Sequence, residues 1–304
     1  MNLALAIAPA LGFGIIPAIV MRAGGRPTQQ QLGTALGALV FAGALWFALR
    51  PAASPVVIVS SFASGVLWSI GMILQFASYI ELGTGRAFSL ETGIQLVLNA
   101  AVGVALFGEW HEPWMLVLGA IALGIIVLGA ILAGGGDGKT DSAGIAEASS
   151  YRRQRTGGKG LVLAVAASIA FVAYVSLPRF AGAEGADATA PQALGIATAA
   201  LLASLVDVGR LRRQGERAVL FERTAAWCIV SGVVSGAANL ALILSNAANG
   251  IAIGFTFSQL AVVVTTLMSI LVLREVEDGR TCRRMLAGVA FIVVGAVGIG
   301  FTKL

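Results

Sequence analysis

Residues Ser64–Trp110 decide the fold, and they read SGVLWSIGMILQFASYIELGTGRAFSLETGIQLVLNAAVGVALFGEW. They form two apolar segments, each long enough to cross a bilayer, joined by a turn that contains glycine. A weaker copy, SGVVSGAANLALILSNAANGIAIGFTFSQLAVVVTTLMSILVLRE, occupies Ser231–Glu275. Each copy opens with Ser-Gly-Val and reaches a glutamate, Glu109 or Glu275, just past an apolar run. Two such hairpins with polar stripes indicate a transport pathway between two related halves.

The composition of the chain predicts an integral membrane protein. Of 304 residues, 58% are hydrophobic and 12% are charged, and the mean hydropathy is +0.90. A soluble domain carries about 25% charged residues, so this chain has too little polar surface for water. Apolar runs of about 20 residues recur, long enough for the hydrocarbon core of a bilayer. We therefore expect a multi-pass protein of the plasma membrane that contacts lipid.

The chain lacks the motifs of an enzyme. Its one histidine and two cysteines have no metal-ligand or redox spacing. No nucleophile–base pair and no phosphate-binding loop is present, so we predict no enzymatic activity, no cofactor and no metal. The basic residues are scattered among the predicted loops, which argues against a nucleic-acid partner.

Ten spans are predicted, divided five and five by a polar linker. The spans lie at 2–21, 32–49, 56–80, 87–107, 113–133, 161–180, 191–208, 225–246, 251–273 and 285–302. The chain then divides into a first five-helix repeat (1–133), a flexible cytoplasmic linker rich in Gly, Ser and charge (134–160), and a second repeat (161–304). Because five is odd, the second repeat must enter the membrane from the opposite side. We therefore expect an all-α membrane protein made of two inverted repeats.

The distribution of basic residues predicts the orientation. The odd-numbered connections between spans hold 17 of the 20 Lys and Arg residues. By the positive-inside rule these connections are cytoplasmic and both termini lie outside.

Four of the predicted spans carry polar side chains at helical spacing, and they correspond between the repeats as spans three with eight and four with nine. The candidate substrate-binding residues are Trp68, Gln75, Thr92, Gln95, Asn99, Asn239, Ser258 and Gln259. An unpaired amide in hydrocarbon costs several kcal/mol, so these groups should face protein or a wet cavity. Individually, such amides can also join helices by interhelical hydrogen bonds. Together they favour a cavity for a neutral solute rich in hydroxyl groups, against which an aromatic ring can stack.

A carboxylate, Glu91, lies inside the fourth predicted span. Its insertion costs about 2.5–3.5 kcal/mol, which makes it a candidate for proton coupling. Alternatively it lies close enough to the loop to pair with Arg86. Asp207, at the end of span seven, is expected in an ion pair near Arg210. Glu109 and Glu275 could be pathway gates or could anchor turns.

A set of motifs runs through both halves in a constant order. In the first half they are Pro9-Ala10-Leu11 with Gly14, Gly24-Gly25 with Pro27, Leu32-Gly33-Thr34, Leu36-Gly37-Ala38-Leu39, Trp68, Gly71, Gln75, Arg86, Thr92-Gly93, Gln95-Leu96-Val97 and Glu109-Trp110. In the second half they are Asn239, Gly250, Phe255, Ser258-Gln259 and Glu275. With these motifs the chain resembles the glucose/ribose porter family of the drug/metabolite transporter superfamily, typified by bacterial glucose uptake proteins.

The resemblance implies ten spans and secondary active import of a monosaccharide such as glucose or ribose, by proton symport. The alternative within the same superfamily is an exporter or exchanger of metabolites or drugs. The sequence departs from the family pattern at Phe13, Ile15, Met72, Glu91 and Ser235, where the pattern has Trp, Ser, Gln, a small hydroxyl residue and Trp. These departures leave the particular sugar, and the substrate class itself, open.

Overall fold

The computed structural model describes residues 3–107, 112–134, 157–183, 185–249, 254, 257–276 and 278–301, and the regular elements among them are helices. Their bounds are α1 Leu3–Ala23, α2 Pro27–Leu49, α3 Pro55–Leu82, α4 Thr84–Phe107, α5 Pro113–Gly134, α6 Gly157–Phe180, α7 Ala186–Arg213, α8 Arg223–Asn249, α9 Ala261–Leu271 and α10 Gly279–Phe301. Eight of these ten helices are long and apolar enough to cross a membrane. The shorter apolar helices are Ile7–Ala23, within α1, and α9. The predicted class, an all-α membrane protein with ten helices, is confirmed.

Two predicted boundaries differ from the structure in ways that matter for the interior. The second helix begins at Pro27 instead of residue 32, because proline suits the first helical position. Its first turns are buried: Gln29 Nε2 donates to the carbonyl of Leu220 (3.1 Å) and Gln30 Nε2 to that of Gly24 (2.9 Å). These glutamines, which the sequence pattern places in a polar loop, therefore hold the α1–α2 connection and the segment before α8 against the helix bundle.

The ninth predicted span, 251–273, also differs, because it is interrupted: Phe257 and Ser258 are helical, a turn follows at Gln259 and Leu260, and α9 begins at Ala261. Of the predicted linker 134–160, residue 134 belongs to α5 and 157–160 to α6. The remaining linker residues, 135–156, lie outside the described residues, as do Glu109 and Phe255.

The largest helix contacts join the two halves of the chain. Helix α2 packs against α7 and α8, α3 against α6 and α7, α5 against α10, α1 against α8 and α9, and α4 against α6 and α9. If each helix is replaced by the one five places later in chain order, returning to α1 after α10, the contact α2–α8 becomes α7–α3 and the contact α3–α6 becomes α8–α1. Both of these contacts are present. Two structurally related halves would produce this relation. Their inversion remains a prediction.

Glycines allow the two central seams, α2–α8 and α3–α7, to bring backbones into contact. A Cβ atom at Gly37 would lie 2.0 Å from the carbonyl oxygen of Ile229, and one at Gly232 would lie 2.0 Å from that of Thr34. The α3–α7 seam repeats this arrangement, with Gly65 against the Gln192 carbonyl at 2.0 Å. Small residues at helix contacts are the usual means of close packing in lipid.

Contacts between side chains and backbone gather the five odd-numbered connections at one face of the bundle, which we call the odd-connection face. Arg26, between α1 and α2, pairs with Asp207 (2.9 Å) and Glu222 near the α7–α8 connection. Lys159 of α6 pairs with Glu81 at the end of α3 (2.8 Å). The predicted ion pair of Asp207 is therefore present, but its partner is Arg26 and not Arg210.

Glu275 links the α9–α10 connection to this face by capping α4. Its carboxylate accepts the backbone N–H groups of Thr84 (2.9 Å) and Gly85 (3.3 Å) as well as the Thr84 hydroxyl. A carboxylate at a helix N-terminus satisfies free N–H groups and complements the helix dipole. Of the two sequence interpretations of Glu275, the structure favours the anchor of a turn.

We expect Gly37→Ala to destabilise the protein by about 1–3 kcal/mol, because the new methyl group would meet backbone that cannot move aside. Gly43→Ala is the matched control in the same helix, since nothing lies within 4 Å of a Cβ atom there. Thermal unfolding of both purified variants in detergent tests the difference. Equal midpoints for the two variants would contradict direct backbone contact at the α2–α8 seam.

Candidate functional site

A cavity lies inside the bundle, between α1, α3, α4, α6, α8 and the start of α9. It is lined by Phe13, Ile16, Pro17, Trp68, Met72, Gln75, Phe88, Glu91, Thr92, Gln95, Phe171, Tyr174, Leu242, Ser258, Gln259 and Ala261. The cavity has a volume of about 70 Å³, which is room for about five water molecules. A hexose is larger than five water molecules, since each of its carbon and oxygen atoms is about the size of one, so its entry requires the cavity walls to move apart.

The structure brings most of the sequence-predicted residues together around this cavity. Those that line it are Trp68, Gln75, Glu91, Thr92, Gln95, Ser258 and Gln259. Asn99 and Asn239 are not among its lining residues. Asn99 lies one turn beyond Gln95 on α4 and donates from Nδ2 to the Gln95 carbonyl (2.8 Å). Polar residues of predicted spans three, four and nine therefore meet at the cavity, whereas the polar stripe of span eight does not line it.

Glu91 is fully buried and accepts two hydrogen bonds from α3. Gln75 Nε2 donates to one carboxylate oxygen (2.6 Å) and Ser78 Oγ donates to the other (2.7 Å). The ion pairs among the described residues do not include Glu91, so the alternative pairing with Arg86 is absent. Both donors are neutral, so they orient the carboxylate without compensating its charge. The two hydrogen bonds thus hold the Glu91 carboxylate in place in the wall of the cavity.

Beside the cavity, Asn239 belongs to a closed ring of hydrogen bonds. The Tyr174 hydroxyl donates to Asn239 Oδ1, and Asn239 Nδ2 donates to Gln192 Oε1 (2.5 Å). Gln192 Nε2 then donates to Ser64 Oγ (2.8 Å), which donates to the Tyr174 carbonyl (2.8 Å). The ring ties α3, α6, α7 and α8 together. Asn239 therefore contacts the cavity wall through its hydrogen bond with Tyr174. It also joins helices by hydrogen bonds, which is the alternative role that the sequence left open for such amides.

A second, smaller pocket lies on the far side of Trp68. Its polar lining includes Thr189, Gln192, Ser235 and Asn239, and it offers about 10 Å³, enough for about one water. Trp68 lines both spaces and lies 6.4 Å from Tyr174, measured between ring centroids. The indole thus forms the partition between the two pockets.

The break before α9 is what places Ser258 and Gln259 at the cavity. The backbone N–H of Val262 donates to the Gln259 carbonyl (3.0 Å) and that of Leu260 to the Phe257 carbonyl (3.1 Å). Hydrogen bonds over three residues mark a tight 3₁₀-like turn. Interrupted helices are where transporters commonly build their binding sites.

Sequence reasoning missed Tyr174 and Gln192. Gln192 is one residue from the start of its predicted span, 191–208, where a polar side chain does not stand out. The helix begins at Ala186, so Gln192 lies well inside it and is buried. Tyr174, near the middle of span six, was detectable, because a buried phenolic hydroxyl requires a partner in lipid.

Comparison with known proteins places this geometry in context. The model of the family described as Sugar transport protein matches residues 4–302. The glucose uptake protein GlcU of Bacillus subtilis is 30% identical over 303 residues, covering 100% of this chain and 99% of the relative. A Listeria monocytogenes protein named after sugar uptake, lmo0169, is 34% identical, with both chains fully covered. A solved crystal structure of a protein that is 16% identical has the same fold, with a TM-score of 0.65 and coverage of 98% of this chain and 96% of the other.

We expect Tyr174→Phe to destabilise the protein by about 0.6–2 kcal/mol, because it removes the hydroxyl that Asn239 accepts. Tyr79→Phe is the matched control: its hydroxyl is buried without a partner among the described residues, so its removal should be neutral or stabilising. Melting temperatures in detergent measure both effects. A larger loss for Tyr79→Phe than for Tyr174→Phe would refute the ring of hydrogen bonds.

Proposed function

Because this chain belongs to the Sugar transport protein family, a family of sugar uptake transporters of the plasma membrane, we propose that it imports a monosaccharide of the glucose or ribose type by proton symport. The observation that carries the proposal is the central cavity. Neutral hydrogen-bonding groups, aromatic rings and one buried carboxylate line it together.

The neutral polar groups of the cavity suit the hydroxyl groups of a sugar. Thr92 and Gln95 from α4, with Ser258 and Gln259 from the break before α9, provide both donors and acceptors. Trp68 presents an apolar ring against which the C–H face of a pyranose can stack. A few placed polar groups in a largely apolar wall are typical of small-molecule sites. The name of the Bacillus subtilis relative, a glucose uptake protein, supports a monosaccharide as the substrate.

Glu91 is the proposed site of proton coupling. It lines the cavity, is fully buried, and among the described residues receives side-chain hydrogen bonds from the neutral Gln75 and Ser78. A carboxylate enclosed away from water is costly unless its charge is neutralised, and a proton is the smallest species that neutralises it. If sugar and proton enter the cavity together, the walls can close over a neutral site and release both on the other side.

Alternating access would use the two related halves. The pairing of helices between halves supports two inverted repeats, with residues 1–133 and 161–304 moving relative to each other. The odd-connection face, which the basic residues predict to be cytoplasmic, is held together by Arg26, Lys159 and Glu275. In this proposal these contacts must separate when sugar is released inside. The described conformation is then one that is closed toward the cytoplasm.

We expect a host that lacks its own sugar transporters to gain saturable uptake of labelled glucose or ribose when it expresses this protein. An uncoupler should abolish accumulation, because the proton gradient supplies the driving force. Gln95→Ala is the negative control, as it removes a cavity amide while leaving the helix intact. Absence of uptake of either sugar, with the protein confirmed in the membrane, would favour an exporter of metabolites or drugs.

We expect Glu91→Gln to retain sugar exchange across the membrane but to lose concentrative uptake, since the amide keeps the shape of the side chain but binds no proton. Reconstituted vesicles with an imposed pH gradient separate the two activities. Glu216→Gln is the matched control, an exposed glutamate between α7 and α8. Accumulation against a gradient by Glu91→Gln would exclude Glu91 as the coupling residue.

A further inference from the structure

The cavity carries a formal negative charge that no basic side chain of its wall compensates. Among the described residues that line it, Glu91 is the only acid, and none is lysine or arginine. The ion pairs of the described residues involve Arg26 and Lys159, both at the odd-connection face. A neutral sugar gains no charge–charge interaction from a carboxylate, so the pattern points to a positively charged occupant.

The carboxylate of Glu91 also has hydrogen-bonding capacity to spare. An ionised carboxylate offers about four lone-pair sites, and Gln75 and Ser78 use one on each oxygen. About two sites remain, one per oxygen. A primary ammonium group has three donors in a compact arrangement and can occupy both. A charge-assisted hydrogen bond of this kind is roughly twice as strong as one between neutral groups.

Aromatic rings form much of the remaining wall. Five aromatic residues line the cavity: Phe13, Trp68, Phe88, Phe171 and Tyr174. The faces of such rings attract cations, indole most strongly, and the attraction increases when the cation is removed from water. Two of the rings, Trp68 and Tyr174, adjoin each other with their planes inclined by 55°. A cation at Glu91 would thus meet favourable surfaces on several sides.

The remaining polar groups restrict what else the occupant carries. Thr92, Gln95 and Gln259 are neutral donors and acceptors that a simple alkylamine, which has no hydroxyl groups, would not engage. From this combination we infer that the cavity takes amino sugars, with the ammonium group at Glu91 and the hydroxyl groups at the amides. The inference rests on the proposed sugar uptake and specifies the substrate class.

The inference also gives Glu91 one role for two kinds of sugar. A neutral sugar enters with a proton on Glu91, and an amino sugar brings its own positive charge in place of that proton. Each cycle then carries one positive charge, and an amino sugar moves without a coupled proton. Proton binding and ammonium binding at Glu91 exclude each other.

The test is competition for exchange of labelled 2-deoxyglucose in reconstituted vesicles at about pH 6.5, where an amine that titrates like an α-amino group is protonated. Unlabelled glucosamine, glucose and cyclohexylamine compete against wild type and Glu91→Gln. We expect the ratio of the half-inhibitory concentration of glucosamine to that of glucose to be about tenfold higher or more in Glu91→Gln than in wild type. Cyclohexylamine, which has the charge without the hydroxyl groups, should compete weakly with both proteins.

Each other outcome has a distinct meaning. Equal inhibition of both proteins by glucosamine overturns the inference and leaves sugar uptake intact. Competition by cyclohexylamine as strong as that by glucosamine also overturns it, since the site then selects cations. If wild-type protein does not exchange labelled 2-deoxyglucose, the proposed function fails, and the inference fails with it.

A second measurement keeps the inference testable if Glu91→Gln is inactive. Purified wild-type protein is heated with equal concentrations of glucosamine or 2-deoxyglucose, and bound ligand raises the melting temperature by mass action. Glucosamine must produce the larger rise. Equal or smaller stabilisation by glucosamine overturns the inference without reference to any variant.

Discussion

The absence of water from the bilayer core is the constraint on which this structure depends. A backbone or side-chain polar group in hydrocarbon must find its partner within the protein, which restricts the chain to helices and places its polar side chains between them. The ring through Ser64, Tyr174, Gln192 and Asn239 is one result, since four helices share one set of donors and acceptors. The same constraint makes the cavity recognisable, because polar side chains from several helices gather around it.

Glycine and polar residues divide the interior into two kinds of contact. Along the α2–α8 and α3–α7 seams, glycines bring backbones into contact and leave little space for a solute. Between α1, α4, α6 and the start of α9, larger side chains keep the helices apart and the cavity forms. Since the glycine seams join helices of different halves, they are suited to act as pivots about which the cavity walls move.

The sequence predicts the ten helices and most of the cavity because both follow from periodicity. A polar residue every three or four positions in an apolar helix identifies a face, and Gln75, Thr92 and Gln95 were found in this way. Periodicity cannot identify the partner of that face. It therefore did not separate Asn239, which is bonded within the ring beside the cavity, from the residues that line the cavity. The turn at Gln259 was missed for a related reason: the residues around it are apolar enough to continue a helix, and tertiary packing decides where the helix is interrupted.

Four of the five positions where the sequence departs from the family pattern lie at the two pockets. Phe13, Met72 and Glu91 line the cavity, and Ser235 lines the smaller pocket behind Trp68. The fifth position, Ile15, lines neither pocket and is exposed on α1. The glycines of the seams, including Gly33 and Gly37, keep the pattern. Changes in the lining can alter which solute is bound without disturbing how the helices pack. We expect the presence of Glu91 in place of a small hydroxyl residue to have the largest effect on selectivity, because it adds a charge where the other changes alter only size and polarity. The selectivity of this transporter is therefore expected to differ from that of its glucose-transporting relatives chiefly in the charge of the substrate.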